Sequence, residues 1–274
     1  MVFREALICF ILVHFMVIHQ VFCIDTRRSA GEFGFVALLL NSDNSQLACI
    51  GAIISDRWIL DSCADRSWYK FHYAKVGWMD SLSPDIYKIT HCVISNNYKE
   101  IPFFLNGTVM THLYATDHGI FLHKTEKSIH FNPNVTSIDL PQDFSLPGEA
   151  RVVYLFNHNI VSQQLRIVKN RFCDSKLSRY FQHQQPISVK SPLYCVATRK
   201  IAFNHCCQSQ ALMIWMNQLI GVMAWSTACS KILGVDPWVF SQVSFYMEWI
   251  KNTTDWVKWD KSKTTRVIYH TSFK

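Results

Sequence analysis

Cysteine is the residue type whose number and spacing most clearly point to chemistry in this chain of 274 residues, which contains 10 of them. Two cysteines, Cys9 and Cys23, lie in an apolar amino-terminal segment. The other cysteines are Cys49, Cys63, Cys92, Cys173, Cys195, Cys206, Cys207 and Cys229. These other cysteines are even in number, which is typical of proteins that form disulfides in an oxidising compartment. The sequence alone leaves their pairing open.

The amino terminus predicts passage through the secretory route. An apolar run over residues 6–18 follows Arg4, and Cys23 offers a fairly small residue for cleavage, so residues 1–23 are interpreted as a signal peptide. A signal anchor is the alternative, because residues 6–23 are about long enough to span a bilayer. Two histidines and a glutamine interrupt that segment, which favours cleavage.

Three sequons for N-glycosylation agree with secretion. They lie at Asn106, Asn134 and Asn252. We therefore expect a secreted, extracellular glycoprotein.

Composition and patterning predict an all-β fold with a helix at its end. The chain is 49% hydrophobic and 17% charged, which is sufficient for a packed core. From Ser244 onward, apolar residues recur at helical spacing, and residues 141–148, with two prolines and a glycine, suit a joint between two halves. Before that helix, short apolar segments alternate with turn residues at 34–40, 50–54, 87–94, 120–123, 151–156, 211–215 and 219–225.

The formal net charge is +7, and several of the positive charges lie in the tail over residues 259–274. A basic tail either is simply solvated or docks to an anionic glycan or membrane surface. No basic pattern interleaved with aromatics indicates nucleic-acid binding, and we expect neither a cofactor nor a metal ion.

Four segments, in order, resemble the trypsin-like serine proteases, the family with the chymotrypsin fold. The resemblance covers about residues 33–252. The segments are a glycine-containing strand with Trp58-Ile59-Leu60 and Cys63, the run Thr116 to Leu122, Cys207-Gln208 with Leu219 to Trp225, and Pro237 to Val243 with Glu248-Trp249-Ile250.

This resemblance implies two six-stranded antiparallel β-barrels and a C-terminal α-helix. Residues 24–258 would form the protease-like domain, with barrel one at about 33–140, barrel two at about 149–242 and the closing helix at about 244–258. The active site of the family lies in the cleft between the barrels.

The family also implies three disulfides, Cys49–Cys63, Cys173–Cys195 and Cys207–Cys229. Cys92 and Cys206 are then left over. They are interpreted as buried free thiols, with an unusual pair or an intermolecular bridge as the alternative.

The catalytic residues of the family are degenerate in this chain. Either Ser62 or Ala64 occupies the place of the general-base histidine, and neither accepts a proton near neutral pH. Asp117 matches the aspartate that orients the base, and its neighbour His118 is expected to pack or to face solvent. Ser209 matches the nucleophile, but the glycine and aspartate before it are missing, and with them an oxyanion amide.

The specificity pocket has changed as well. Ser226, which follows Trp225, and Trp238 stand where the family has glycines in the pocket wall. His205 stands where trypsin-like enzymes hold the aspartate that binds a basic side chain.

These substitutions predict a pseudoprotease that is not an enzyme and acts by binding another protein, such as an active protease, its substrate or its inhibitor. Inactive members of the family are often associated with reproductive tissue. One alternative is a rewired serine hydrolase that uses Ser209 with a base from elsewhere. Another is a protein that binds glycans or membrane surfaces through its basic tail.

Overall fold

The structure is a computed structural model that describes residues 31–41, 47–62, 71–77, 84–105, 108–143, 147–156, 159–177, 192–197, 211–226 and 237–254. Strands dominate this part of the chain, and they form two closed barrels joined in sequence.

Barrel one is a closed antiparallel barrel from the first half of the chain. Its strands are β1 (Val36–Leu40), β2 (Leu47–Ile53), β3 (Trp58–Asp61), β4 (Tyr73–Val76), β5 (Asp85–Ile94) and β8 (Phe121–Thr125). Around the barrel they follow the order β1-β2-β3-β8-β5-β4. β3 and β5 are therefore not neighbours, and β8 lies between them.

A two-stranded ribbon is inserted between β5 and β8. It consists of β6 (Lys99–Leu105) and β7 (Thr108–Asp117), and β7 also contacts barrel two.

Barrel two repeats the architecture in the second half of the chain. Its strands are β9 (Glu149–Phe156), β10 (Asn159–Val168), β11 (Leu193–Ala197), β12 (Ala211–Trp215), β13 (Gln218–Ser226) and β14 (Pro237–Gln242), in the order β10-β11-β14-β13-β12-β9. Met216 and Asn217 join β12 to β13 with φ of 46° and 60°. Such a two-residue left-handed turn matches the twist of the paired strands.

Helices are few in the described part of the chain. α1 (Asn170–Leu177) precedes β11. The chain closes with a 3-10 turn, Val243–Tyr246, and α2 (Met247–Thr254). Ile250 of α2 and Tyr246 are buried in a core shared by both barrels, which explains how the closing segment is held.

The apolar residues that the structure describes pack in three cores, because successive strand side chains point to opposite faces. One core contains residues of both barrels, such as Leu60, Leu122 and Leu212, and so lies between them. A second core fills barrel one, and a third fills barrel two.

The fold prediction is confirmed: the chain forms two closed six-stranded antiparallel barrels and a C-terminal helix. The ribbon and α1 were not expected from the sequence pattern. The described part of the closing helix ends at Thr254, and the tail over residues 259–274 lies outside the described residues, as do residues 1–23.

Candidate functional site between the barrels

Ser62, one of the two residues that the sequence matches to the family's general base, directly follows β3 at the boundary between the barrels. Its side chain is buried, and its hydroxyl donates a hydrogen bond to the carbonyl oxygen of Met223 on β13. The residue therefore joins barrel one to barrel two. The alternative residue at this place, Ala64, lies outside the described residues.

Asp117 is the last residue of β7 and is paired with Lys99 of β6 in the ribbon. The pairing of β3 with β8 places Asp61 opposite Phe121. Continued by one residue, this register puts Ser62 opposite Ile120, three residues beyond Asp117 in the chain. The carboxylate of Asp117 is outside the described side chains, so its approach to Ser62 stays a prediction.

His118 is directed towards the closing segment of the chain. It has φ of 53°, and its Nδ1 shares a hydrogen bond of 2.9 Å with the hydroxyl of Tyr246. Its ring packs against those of Phe245 and Tyr246. These contacts make His118 a packing residue at the junction of the barrels.

Two of the predicted pocket residues are brought side by side by β13 and β14. Ser226 pairs with Trp238, and Trp225 pairs with the next residue, Val239. His205 and the nucleophile candidate Ser209 lie outside the described residues.

The indole of Trp238 is half-buried and packs against the core of barrel two. Its ring meets that of Tyr154 edge-on, with 5.5 Å between the centroids, an arrangement that aromatic pairs favour. Trp238 thus lies at an end of the barrel-two core, in the strand that the family uses for its pocket wall. Its packing near Trp225 and a Cys207–Cys229 bridge stays a prediction.

One disulfide has both of its cysteines among the described residues. It joins Cys173 of α1 to Cys195 of β11, with 6.2 Å between the Cα atoms. Cys49 is also disulfide-bonded, to a partner outside the described residues. Cys63, Cys206, Cys207 and Cys229 all lie outside them.

Two of the predicted glycosylation sites lie in described segments. The side chain of Asn252 is exposed on α2, and that of Asn134 is half-exposed in a turn. Asn106 lies outside the described residues.

A buried acid–imidazole pair, which the sequence analysis missed, lies inside barrel one. Nε2 of His123 is 3.1 Å from Oδ1 of Asp61, and both side chains are 0% exposed. Asp61 follows Ile59 by two residues on β3, so both point into the barrel-one core. The pair lies one residue from Ser62 but faces away from the cleft.

The electrostatics of this pair favour an imidazolium. Burial is the largest influence and lowers the pKa of His123. The negative charge and hydrogen bond of Asp61 outweigh it, together with smaller contributions from Cys92, and raise the pKa from 6.5 to about 10. At neutral pH the barrel therefore encloses a positive ring next to a carboxylate.

Gly51 makes room for this arrangement on the neighbouring strand, β2. A Cβ at Gly51 would lie 2.6 Å from Cγ2 of Ile59 and 3.5 Å from Cβ of Asp61. The one signal in the sequence is that a carboxylate and a histidine each end a run of apolar strand residues, at Ile59-Leu60-Asp61 and Phe121-Leu122-His123. That signal does not reveal that the two meet.

Comparison with known proteins identifies the family. The family model described as Trypsin matches residues 25–250, which is most of the chain. The chain therefore belongs to the trypsin family. No curated protein matches the chain.

Solved structures of the family share the fold at low sequence identity. The chain is similar to kallikrein-related peptidase 10, at 18% identity and a TM-score of 0.60, over 84% of this chain and 98% of that chain. It is similar to the complex of that peptidase with Zn²⁺, at 19% identity and a TM-score of 0.63, over 84% and 99% of the two chains. Neuropsin, a serine protease expressed in the limbic system of mouse brain, matches at 18% identity and a TM-score of 0.60, over 83% and 97%.

The described residues contain no helix that is long and apolar enough to cross a membrane. They also contain no group of three or more histidine, cysteine or acidic side chains suited to hold a metal ion.

Proposed function

We propose that this chain is a secreted, glycosylated and catalytically inactive member of the trypsin family that acts by binding another protein. The observation that carries this proposal is the state of Ser62. Ser62, one of the two residues matched to the general base (the other is Ala64), has a buried hydroxyl, and that hydroxyl joins the two barrels through the carbonyl of Met223.

Two histidines among the described residues near this place, His118 and His123, support an inactive centre. His118 is hydrogen-bonded to Tyr246, and His123 is fully buried against Asp61 inside barrel one. A general base has to reach the proton that it removes. Both of these imidazoles are engaged with other groups, His118 with the hydroxyl of Tyr246 and His123 with the carboxylate of Asp61.

The surroundings of the cleft agree with loss of substrate binding. Trp238 replaces a glycine of the pocket wall, and its half-buried ring packs on Tyr154. The ribbon strand β7 contacts β13, the strand that leads to Trp225 and Ser226. The indole of Trp238 takes up space that the family's glycine would leave open to a substrate side chain.

Secretion is supported by the predicted signal peptide over residues 1–23 and by the bond between Cys173 and Cys195. Glycosylation is supported by the exposed side chain of Asn252 and the half-exposed one of Asn134. The partner is proposed to be an active protease, its substrate or its inhibitor, in reproductive tissue, because inactive homologues often act there by occupying the place of an active enzyme.

Labelling by a serine-directed fluorophosphonate tests the proposed inactivity. The purified glycosylated protein should be labelled no more than its Ser209→Ala variant, because no base activates the hydroxyl. Saturable labelling at Ser209 would overturn the proposal in favour of a rewired hydrolase. Ser62→His alone should create no peptidase activity, since the oxyanion amide would still be missing.

A capture experiment tests the binding role. The secreted protein is immobilised and exposed to reproductive-tissue fluid, with chemically inactivated trypsin as the control of the same fold. A protease, protease inhibitor or protease substrate retained by this chain and not by the control is expected. Equal retention on both proteins would argue against a selected binding role.

A further inference from the structure

We propose that Cys92 is a reactive thiol that exchanges with small disulfides, and that the buried His123–Asp61 pair activates it. The site lies in barrel one, outside the cleft, and is independent of the proposed binding role. It consists of one side chain from each of three neighbouring strands, β5, β8 and β3.

The strand register brings the thiol to the imidazole. Cys92 of β5 lies directly opposite His123 of β8, and residues in such pairs have Cβ atoms about 4.5–5.5 Å apart on the same face of the sheet. On the other side of β8, β3 supplies Asp61, which is bonded to Nε2 of His123. The order thiol, imidazole, carboxylate is the order in which a nucleophile, a base and an orienting group act.

The remaining ring nitrogen of His123 is available to the thiol. Nδ1 is buried and has no ordinary hydrogen-bond partner among the described residues. Cys92 is close enough to contribute to the raised pKa of the ring. A buried imidazolium next to a sulfur stabilises the thiolate, which is the nucleophilic form of cysteine.

Cys92 is partly exposed, whereas the other two residues of the site are not. Cys92 is half-buried and free, and the other two side chains are 0% exposed. The paired residues of β4 and β5 end at Lys88, so β4 does not cover β5 at Cys92. The proposal requires a small reagent to reach the sulfur along this uncovered part of β5, whereas His123 itself is fully buried.

The other charged or titratable groups of these strands lie elsewhere. His91 and Lys124 pair with each other and point to the opposite face from Cys92 and His123. His72, before β4, is exposed. Of the residues that line the barrel core, Cys49 is disulfide-bonded, and the hydroxyl of Tyr87 accepts a hydrogen bond from the amide of His130.

The exchange itself needs no metal and no further oxidant. The thiolate sulfur of Cys92 attacks one sulfur of a small disulfide, a new S–S bond forms, and the original S–S bond breaks. The leaving sulfur departs with the electron pair and takes a proton from solvent. Cys92 is oxidised to a mixed disulfide, and half of the reagent is reduced to a thiol.

The experiment measures the rate of reaction with dithiodipyridine as a function of pH. Peptide mapping then assigns the adduct to Cys92, and Cys92→Ser should abolish it. An ordinary thiol has a pKa of about 8.5, so only about 1% is thiolate at pH 6.5. We expect Cys92 at pH 6.5 to react about tenfold or more faster than it does in Asp61→Asn, whose imidazole loses its charge.

Three results distinguish an activated Cys92 from an ordinary thiol. A Cys92 rate that rises through pH 8.5 like that of a free thiol overturns the proposal, as does a rate unchanged by Asp61→Asn in a folded variant. If Asp61→Asn does not fold, the pH profile of the unaltered protein decides alone. A profile that is already flat between pH 6.5 and 8.5 supports the thiolate.

Discussion

The two barrels have the same number of strands and the same closed topology, but they bury different kinds of titratable side chain. Barrel one buries an acid–imidazole pair, and barrel two buries tyrosines. Barrel one encloses Asp61 and His123, both 0% exposed. The core of barrel two is formed by apolar residues together with the aromatic side chains of Tyr194, Tyr154 and Trp238. Burial raises the pKa of Tyr154 and of Tyr194, and a phenol is uncharged near neutral pH even without that shift.

The pair in barrel one shows that a partner of opposite charge, and not burial alone, decides whether a buried imidazole is charged. Burial disfavours a charge in both barrels. Asp61 reverses that effect for His123, whereas no opposite charge reaches the two tyrosines among the described residues. Among the described residues, the first barrel therefore carries a pH dependence of stability between pH 6.5 and about 10 that the two tyrosines of the second barrel do not supply.

The largest expected effect comes from removing one member of the pair. Asp61→Ala should lower the free energy of unfolding by about 3–5 kcal/mol, because His123 is left without a partner in an apolar interior. Urea unfolding measures the change. The matched variant in barrel two is Tyr194→Phe, for which the loss should be about 1 kcal/mol or less.

The double variant Asp61→Val with His123→Leu sharpens this comparison. Its free energy of unfolding should be close to that of the unaltered protein, because apolar residues of similar volume often replace a buried ion pair without loss of stability. A double variant as unstable as Asp61→Ala would show that packing, and not the unpaired group, accounts for the cost.

The second expected effect is a fall of stability at alkaline pH. The folded pKa of His123 is raised, so the folded state binds this proton more tightly than the unfolded state does. Protonated His123 makes its full contribution to the free energy of unfolding below pH 6.5. This contribution is lost as the pH rises from 6.5 to about 10. It should amount to a few kcal/mol in urea titrations, given about 1.4 kcal/mol per pKa unit. The same double variant should lack this dependence, and an equal slope in both proteins would contradict the assignment.

The third effect concerns barrel two. Trp238→Gly should lower the free energy of unfolding by about 2–3 kcal/mol. This loss is smaller than that expected for a fully buried indole, because the ring of Trp238 is half-buried against Tyr154. Thermal unfolding measures it, with Met216→Ala as the control, since Met216 is 76% exposed. The variant should gain no peptidase activity. An unchanged melting temperature would mean that the ring contributes nothing to this core.

The smallest effect should come from Ser62→Ala. It removes the buried hydrogen bond to Met223 that joins the barrels, at a cost of about 1 kcal/mol. Ser175→Ala is the control, because the hydroxyl of Ser175 bonds to the carbonyl of Phe172 at an exposed site. Equal stability of the two variants would show that the link between the barrels is not energetically important.

Much of the fold was predictable because its strands are locally apolar. The segments predicted at 211–215 and 219–225 correspond to β12 and β13, and the segment at 87–94 lies within β5. The ribbon was missed because β6 contains Pro102, which weakens a strand pattern. α1 was missed because its eight residues are mostly polar and are anchored by the Cys173–Cys195 bond instead.

For the candidate cleft, the sequence predicted which residue types stand at the family's positions but not which contacts those residues make. That Ser62 precedes Cys63 is a fact of sequence, and so is the replacement of a glycine by Trp238. The hydrogen bond from Ser62 to Met223 was not predictable, because it spans a separation of 161 residues between two barrels.

The sequence by itself determined the two-barrel class, through short apolar strands, turn residues and the four family-like segments, and it determined that no histidine directly precedes Cys63. Only the tertiary structure decided that Asp61 meets His123, at a separation of 62 residues, and that Cys92 lies on the other side of the same ring. The physical reason is that closure of a barrel sets which strands are neighbours and in which register. Those contacts are non-local, whereas the hydrophobic pattern of each strand specifies only which face is buried.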